Sequence, residues 1–123
     1  MNSRKTLLIL DDDDNFRVLL KHQLKKLGNY EVLLSNDGDE AIQIIRKNNG
    51  KIDLITTDLI HSGIGGIELI QHIKKNFPNI KVLICTGLPQ LHEDFAKFSD
   101  GILYKPFKFD DFLKVVKVLL GIM

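Results

Sequence analysis

"TLLILDDDDNFRVLLKHQLKKLG", Thr6 to Gly28, changes character twice. An unbroken apolar run, "TLLIL" (6–10), ends abruptly in four consecutive carboxylates, Asp11–Asp14. A run of that kind, bounded by charge, suits a strand covered on both faces. Beyond the carboxylates, apolar residues recur at Phe16, Leu19, Leu20, Leu24 and Leu27, a helical stripe with Gly28 as its stop. The stretch therefore reads as a strand joined to a helix through a knot of like charge. Carboxylates about 5 Å apart repel by roughly 3 kcal/mol per pair at an effective dielectric near 20, so the knot needs something to offset it.

The same alternation continues outward. "YEVLLS" (30–35) reads as a strand. "DGDEAIQIIRKNNG" (37–50) opens with acidic residues, places Ala41, Ile42 and Ile45 on one face and stops at Asn-Asn-Gly, as a helix does. "IDLITT" (52–57) is a third strand, and "GIELIQHIKKNF" (66–77) a helix halted by Pro78. "IKVLIC" (80–85) and "GILY" (101–104) complete five strands. "FDDFLKVVKVLL" (109–120) carries Phe109, Phe112, Leu113, Val116 and Leu120 on one stripe and predicts a final helix. Between Gly87 and Asp100 the signal is weak; "HEDFAKF" allows two turns. Strands alternating with helices imply βαβ crossovers, hence an α/β, doubly wound parallel sheet with helices on both faces. The longer apolar runs mark the first, third and fourth strands as central.

Composition narrows the function classes. The 123 residues suit one domain, 44% hydrophobic residues suffice for a core, and 27% charged residues argue against disorder. A formal net charge of +1 gives no global field for nucleic acid or an anionic membrane. No apolar run approaches the roughly 18 residues of a membrane-spanning helix, and the apolar stretch near the start is too short for a signal peptide. Cys85 is alone, so no disulfide framework or cysteine zinc site is expected, and it reads as a small buried hydrophobe. His22, His72 and His92 lack metal-ligand spacing and read as surface residues. The expected setting is cytoplasmic.

In an open parallel sheet the binding crevice lies at the carboxyl ends of the strands. Asp11 and Asp12 follow the first strand, Asp58 follows the third after Thr57, Thr86 follows the fourth, and Lys105 follows the fifth before Pro106. Each alone has a plain reading as a helix-start acid, a turn residue, a strand-end hydroxyl or a surface lysine. Together they bring three carboxylates, a hydroxyl and an ammonium to one edge. Hard carboxylate oxygens suit Mg²⁺, which would offset the repulsion and leave positions for phosphate oxygens. An aspartate beside such an ion is a candidate nucleophile toward phosphorus, with Lys105 and Thr86 placed to meet the anion formed.

These residues resemble the receiver domains of two-component response regulators. The matching segments are "LLILDDDDNFRVLL", "DLITTDLIHSGIGGIELI", "KVLICTG" and "LYKPF", spread over nearly the whole chain. The resemblance implies one receiver domain over 1–123, with a flavodoxin-like sheet in the order 2-1-3-4-5. It implies that Asp58 accepts phosphate from the phosphohistidine of a histidine kinase or a histidine phosphotransfer protein. It further implies Mg²⁺ held by Asp11, Asp12, Asp58 and the backbone carbonyl of Ile60, phosphoryl contacts from Thr86 and Lys105, and a cis Lys105–Pro106 bond. Asp13 and Asp14 fall outside the metal pair, and Asp14 is expected to cap the first helix. A stand-alone regulator and a piece of a larger chain, such as a hybrid kinase, both stay open.

Four departures from the family pattern carry expectations. His61-Ser62 replaces the usual Met-Pro after the acceptor and is followed by Gly63, Gly65 and Gly66, which predicts a flexible loop; His61 reads as solvated there. Only 19 positions separate Thr86 from Lys105, which predicts a short or irregular fourth helix. Ile102 stands where the family usually has Tyr or Phe, with the aromatic moved to Tyr104. A stiff β-branched residue there predicts that phosphorylation is read out less through an aromatic switch and more through the 61–66 and 88–99 segments. Apolar Ile60 stands where a polar residue often flanks the phosphate. Val115, Val118 and Ile122 widen the apolar face of the last helix, either as ordinary exposed aliphatics or as a homodimer surface formed by the last strand and helix.

Two other function classes compete with a phosphoacceptor switch that is not itself an enzyme. A Mg²⁺-dependent phosphatase with an Asp nucleophile commonly carries a second aspartate two residues on, where this chain has Ile60. A docking module that no longer uses phosphate has no need of Asp11, Asp12, Asp58, Thr86 and Lys105, all of which are present.

Overall fold

The structure, a computed structural model, describes residues 4–59, 65–88 and 97–122. Five parallel strands, β1 (Lys5–Leu10), β2 (Tyr30–Ser35), β3 (Leu54–Thr57), β4 (Lys81–Thr86) and β5 (Gly101–Tyr104), form one sheet in the order β2-β1-β3-β4-β5. Among the described residues four helices cover it, α1 (Asp14–Lys26), α2 (Gly38–Lys47), α3 (Gly66–Asn76) and α4 (Phe109–Leu120). The doubly wound architecture and its strand order are as expected. The short or irregular extra helix expected between β4 and β5 falls mostly on 89–96, outside the described residues, as does most of the 61–66 loop.

Period-two alternation in the central strands divides the core into two layers. Leu8 and Leu10 of β1, Ile55 of β3 and Val82 and Ile84 of β4 pack with Ala41 and Ile45 of α2 and Leu69, Ile70 and Ile73 of α3. Leu7, Ile9, Leu54, Leu83 and Cys85 face the opposite way, against Leu20 and Leu24 of α1 and Phe112 and Val116 of α4. Both sides of β1 are apolar because both are covered, which is why its sequence shows an unbroken run. Val115 of α4 and Ile122 just beyond it pack against the core, whereas Val118 is 73% exposed, so the expected outward apolar face shrinks to that one of the three residues.

Element boundaries shift where side chains intervene. The segment 37–50 becomes a helix only over Gly38–Lys47, because Asp37 is its cap, accepting from the Glu40 N–H at 2.8 Å. At its other end the Asn48 amide donates to the Ile44 carbonyl at 2.7 Å, and Asn49 turns to a φ of 56°. β3 begins at Leu54 because Asp53 takes a separate role, accepting the Thr6 N–H on its carboxylate at 2.8 Å. Gly66 opens α3 where a Cβ would stand 3.0 Å from the Leu59 backbone, so glycine lets the helix approach the end of β3. Among the described residues no helix is long and apolar enough to cross a membrane.

Candidate functional site

The strand registers align Leu10 with Ser35 and Thr57, Thr57 with Ile84, and Thr86 with Tyr104. The residues just past each strand therefore emerge at one edge. Asp11, the first residue after β1, is 1% exposed. Its Oδ1 accepts the Asp13 N–H at 2.9 Å, its Oδ2 accepts the Lys105 ammonium at 2.6 Å, and its carbonyl accepts from Arg17. Asp58, the first residue after β3, accepts the Leu59 N–H on Oδ1 at 2.6 Å and Lys105 on Oδ2 at 3.2 Å. Thr57 supports that turn by donating its hydroxyl to the Asp58 carbonyl at 2.8 Å.

Lys105 thus bridges two carboxylates from neighbouring strands. Burial pulls its pKa down, but the hydrogen bonds and charges of Asp11 and Asp58 outweigh burial and hold it above the ordinary lysine value. The ammonium also lies 4.1 Å from the centroid of the Phe16 ring. Its backbone N–H donates to the Thr86 carbonyl at 2.7 Å, and Lys105–Pro106 is cis, as expected. Thr86 is fully buried, its hydroxyl accepting the Leu88 N–H at 3.1 Å. Neighbouring Cys85 is a buried thiol whose pKa burial drives far above the ordinary range; Asp11 and Asp58 push the same way and Lys105 only partly opposes them. A thiol so strongly held in its neutral form is no nucleophile.

The four consecutive carboxylates separate into different roles. Asp11 pairs with Lys105, and Asp12 is exposed. Asp13, not Asp14, caps α1, its Oδ1 accepting the Phe16 N–H at 3.2 Å. Asp14 lies in the first helical turn and pairs with Arg17. The expected cap is therefore displaced by one residue, because the bond from the Asp13 N–H to Asp11 places Asp13 at the chain's entry to the helix. Repulsion within the run is met by an ammonium, a guanidinium and backbone N–H dipoles.

Asp11, Asp58 and Lys105 are brought into direct contact, and Thr86 is joined to Lys105 through the backbone. Asp12 is exposed. Among the described residues no three His, Cys, Asp or Glu side chains are arranged to hold a metal ion. The donors available at this edge are carboxylate oxygens, which in kind fit a hard divalent cation. Ile60 and His61 lie outside the described residues. Sequence reasoning missed the contributions of Phe16, Arg17 and Thr57; Phe16 and Arg17 were hidden within an ordinary amphipathic helix pattern. His72, read as a surface residue, is half-buried, its ring 6.4 Å from that of Phe77.

Residues 7–117 match the family model of the response regulator receiver domain. The chain is 32% identical over 117 residues to sporulation initiation phosphotransferase F of Bacillus subtilis (strain 168), an alignment covering 93% of this chain and 92% of that protein. It is 35% identical over 104 residues to the transcriptional regulatory protein YrkP of the same organism, covering 82% of this chain and 43% of that protein. The chain spans half or less of several curated relatives that it matches. Among solved structures it is similar to the response regulator protein TrrA of Thermotoga maritima in complex with Mg(2+)-BeF, with a TM-score of 0.82, 32% identity and coverage of 94% of this chain and 98% of that one.

Proposed function

The chain belongs to the response regulator receiver domain family, and on that premise we propose that it is a phosphoacceptor switch whose Asp58 takes a phosphoryl group from the phosphohistidine of a histidine kinase or histidine phosphotransfer protein in the cytoplasm. The observation that carries this reading is the Lys105 ammonium, in hydrogen-bond contact with Asp11 at 2.6 Å and Asp58 at 3.2 Å. It supplies a positive charge shared by two carboxylates at the sheet edge where ligands bind in open α/β folds.

In the proposed transfer, an Asp58 carboxylate oxygen attacks phosphorus as the phosphorus–nitrogen bond to the donor imidazole breaks. The imidazole nitrogen leaves with the bonding electron pair and takes a proton from solvent water. Lys105, already hydrogen-bonded to Asp58, follows the negative charge onto a phosphoryl oxygen, and Asp11 keeps it at the edge when Asp58 becomes an acyl phosphate. The Thr86 hydroxyl retains a proton to donate, because its bond with Leu88 uses it as an acceptor. Asp11, Asp12 and Asp58, with the carbonyl of Ile60, would hold Mg²⁺, which when bound neutralises charge on the phosphoryl oxygens. The similarity to TrrA, whose structure holds Mg(2+)-BeF, supports this assignment.

Incubation with acetyl phosphate and Mg²⁺, followed by intact-mass measurement, tests the reading. The wild type is expected to gain one phosphoryl group and Asp58→Asn none. An undiminished gain in Asp58→Asn overturns the assignment. A wild type that only turns over acetyl phosphate is a phosphatase, and one that does neither is a docking module.

A further inference from the structure

An ammonium on a flexible four-carbon stem does not hold its position unaided. Lys105 has three fixed neighbours: Asp11, Asp58 and the face of Phe16, whose centroid lies 4.1 Å from Nζ. The first two are acceptors, and in the proposed function Asp58 changes its charge when it is phosphorylated. The aromatic face accepts no proton and keeps its electrostatic character whatever the state of Asp58. At this distance the ring quadrupole attracts a cation.

The ring is itself held in place. Its backbone N–H donates to the Asp13 cap at 3.2 Å, which fixes the first turn of α1. The ring meets Phe107 edge-on, with centroids 5.9 Å apart and planes at 82°. Phe107 stacks on Phe112 at 5.8 Å and 11°, and Phe112 is fully buried in the core beneath α4. A line of aromatic contacts therefore runs from the core to the ammonium.

We infer that Phe16 is a positioning residue for Lys105, holding the ammonium through its π-face so that its N–H groups can pass from Asp58 to an incoming phosphoryl oxygen. The inference rests on the proposed phosphoacceptor role of Asp58. It assigns Phe16 an electrostatic part beyond filling the space between α1 and Phe107.

Graded fluorination separates the two, because it weakens the ring quadrupole while nearly preserving ring shape. Full-length protein carrying monofluoro-, trifluoro- or pentafluorophenylalanine at position 16 is compared with wild type, Phe16→Tyr and Phe16→Leu. The rate of phosphoryl gain from acetyl phosphate with Mg²⁺ and the ¹H shifts of the Lys105 ε-methylene are measured. The rate is expected to fall stepwise with fluorination, reaching about threefold to tenfold in the pentafluoro and Leu proteins, with Tyr within about twofold of wild type. The ε-methylene shifts should move toward free-lysine positions in Phe16→Leu as the ring current is lost. A rate that stays flat across the fluorinated series, or ε-methylene shifts unchanged in Phe16→Leu, overturns the inference. A wild type that gains no phosphoryl group instead removes the reading of Asp58, and the Lys105 shifts across the same variants still decide whether Phe16 positions the ammonium.

Discussion

Two lysine–aspartate contacts sit at opposite edges of the same sheet and differ in kind. At the amino edge, Asp100 Oδ2 accepts the Val82 N–H at 2.7 Å as well as the Lys74 ammonium, and the Asp100 N–H donates to the Val82 carbonyl at 2.9 Å. Lys74 also donates to the Ile80 carbonyl at 3.2 Å. This pair is committed to backbone groups and ties the last turn of α3 to the start of β4. At the carboxyl edge, the hydrogen-bond acceptors of the Lys105 ammonium among the described residues are both side-chain carboxylates. Asp100 binds the backbone of a strand 18 positions away and so acts as a brace. Asp11 and Asp58 instead take backbone N–H bonds on Oδ1 from residues one or two positions on, and meet on Oδ2 an ammonium that another cation can replace. The same two residue types make a strut at one edge and an exchangeable site at the other.

The largest expected effect breaks the brace. Asp100→Ala leaves the Val82 N–H without its carboxylate acceptor and Lys74 without its partner, so urea unfolding should show a loss of about 2–3 kcal/mol. The folded fraction should still gain its phosphoryl group at the wild-type rate. A loss below about 1 kcal/mol, or a slowed gain, would remove the distinction between the two edges.

A smaller effect sharpens the distinction through cation exchange. If Asp11, Asp12 and Asp58 hold Mg²⁺, the thermal midpoint rises with Mg²⁺ by mass action, by the equivalent of about 1.4 kcal/mol at ten times the dissociation constant. Asp12→Ala should show much less of this rise, and Asp100→Ala should show all of it. Equal rises in wild type and Asp12→Ala would exclude this site.

The smallest effect is the pH response of the site lysine in Mg²⁺-free buffer. Asp11 and Asp58 raise the folded-state pKa of Lys105 above its ordinary 10.5. Its stabilisation is therefore fully present below pH 10.5 and is lost as the pH rises through the raised folded value. The stability difference between wild type and Lys105→Met should hold constant from neutral pH and then shrink at the alkaline end. A difference that grows with alkalinity contradicts the sign of this linkage.

Much of the architecture was legible because it is written in local periods. β1 and β4 announce themselves as apolar runs, and the stripes on α1 and α4 follow the helical repeat. The strand-end positions of Asp11, Asp58, Thr86 and Lys105 follow from the strand boundaries, since in a parallel sheet all carboxyl ends share one edge. The cap of α1 was misplaced by one residue for an equally local reason. Within four identical carboxylates, periodicity cannot say where extended backbone gives way to helix. The contact of Asp13 N–H with Asp11 decides that.

The sequence by itself determined the alternation of strands and helices, the covered character of the central strands and the chemical types collected at one edge. Those properties depend on residues within a few positions of one another. Only the tertiary structure decided the partners. Lys105 reaches Asp11 across 94 positions of chain, and Lys74 reaches Asp100 across 26. Phe16, one apolar residue among several on its helix, acquires its contact with Lys105 because β1, α1 and β5 converge at the sheet edge. Partnership of this kind is a matter of distance between elements, which no local pattern records; it arises only when the core layer shared by α1 and α4 sets α1 and the end of β5 side by side.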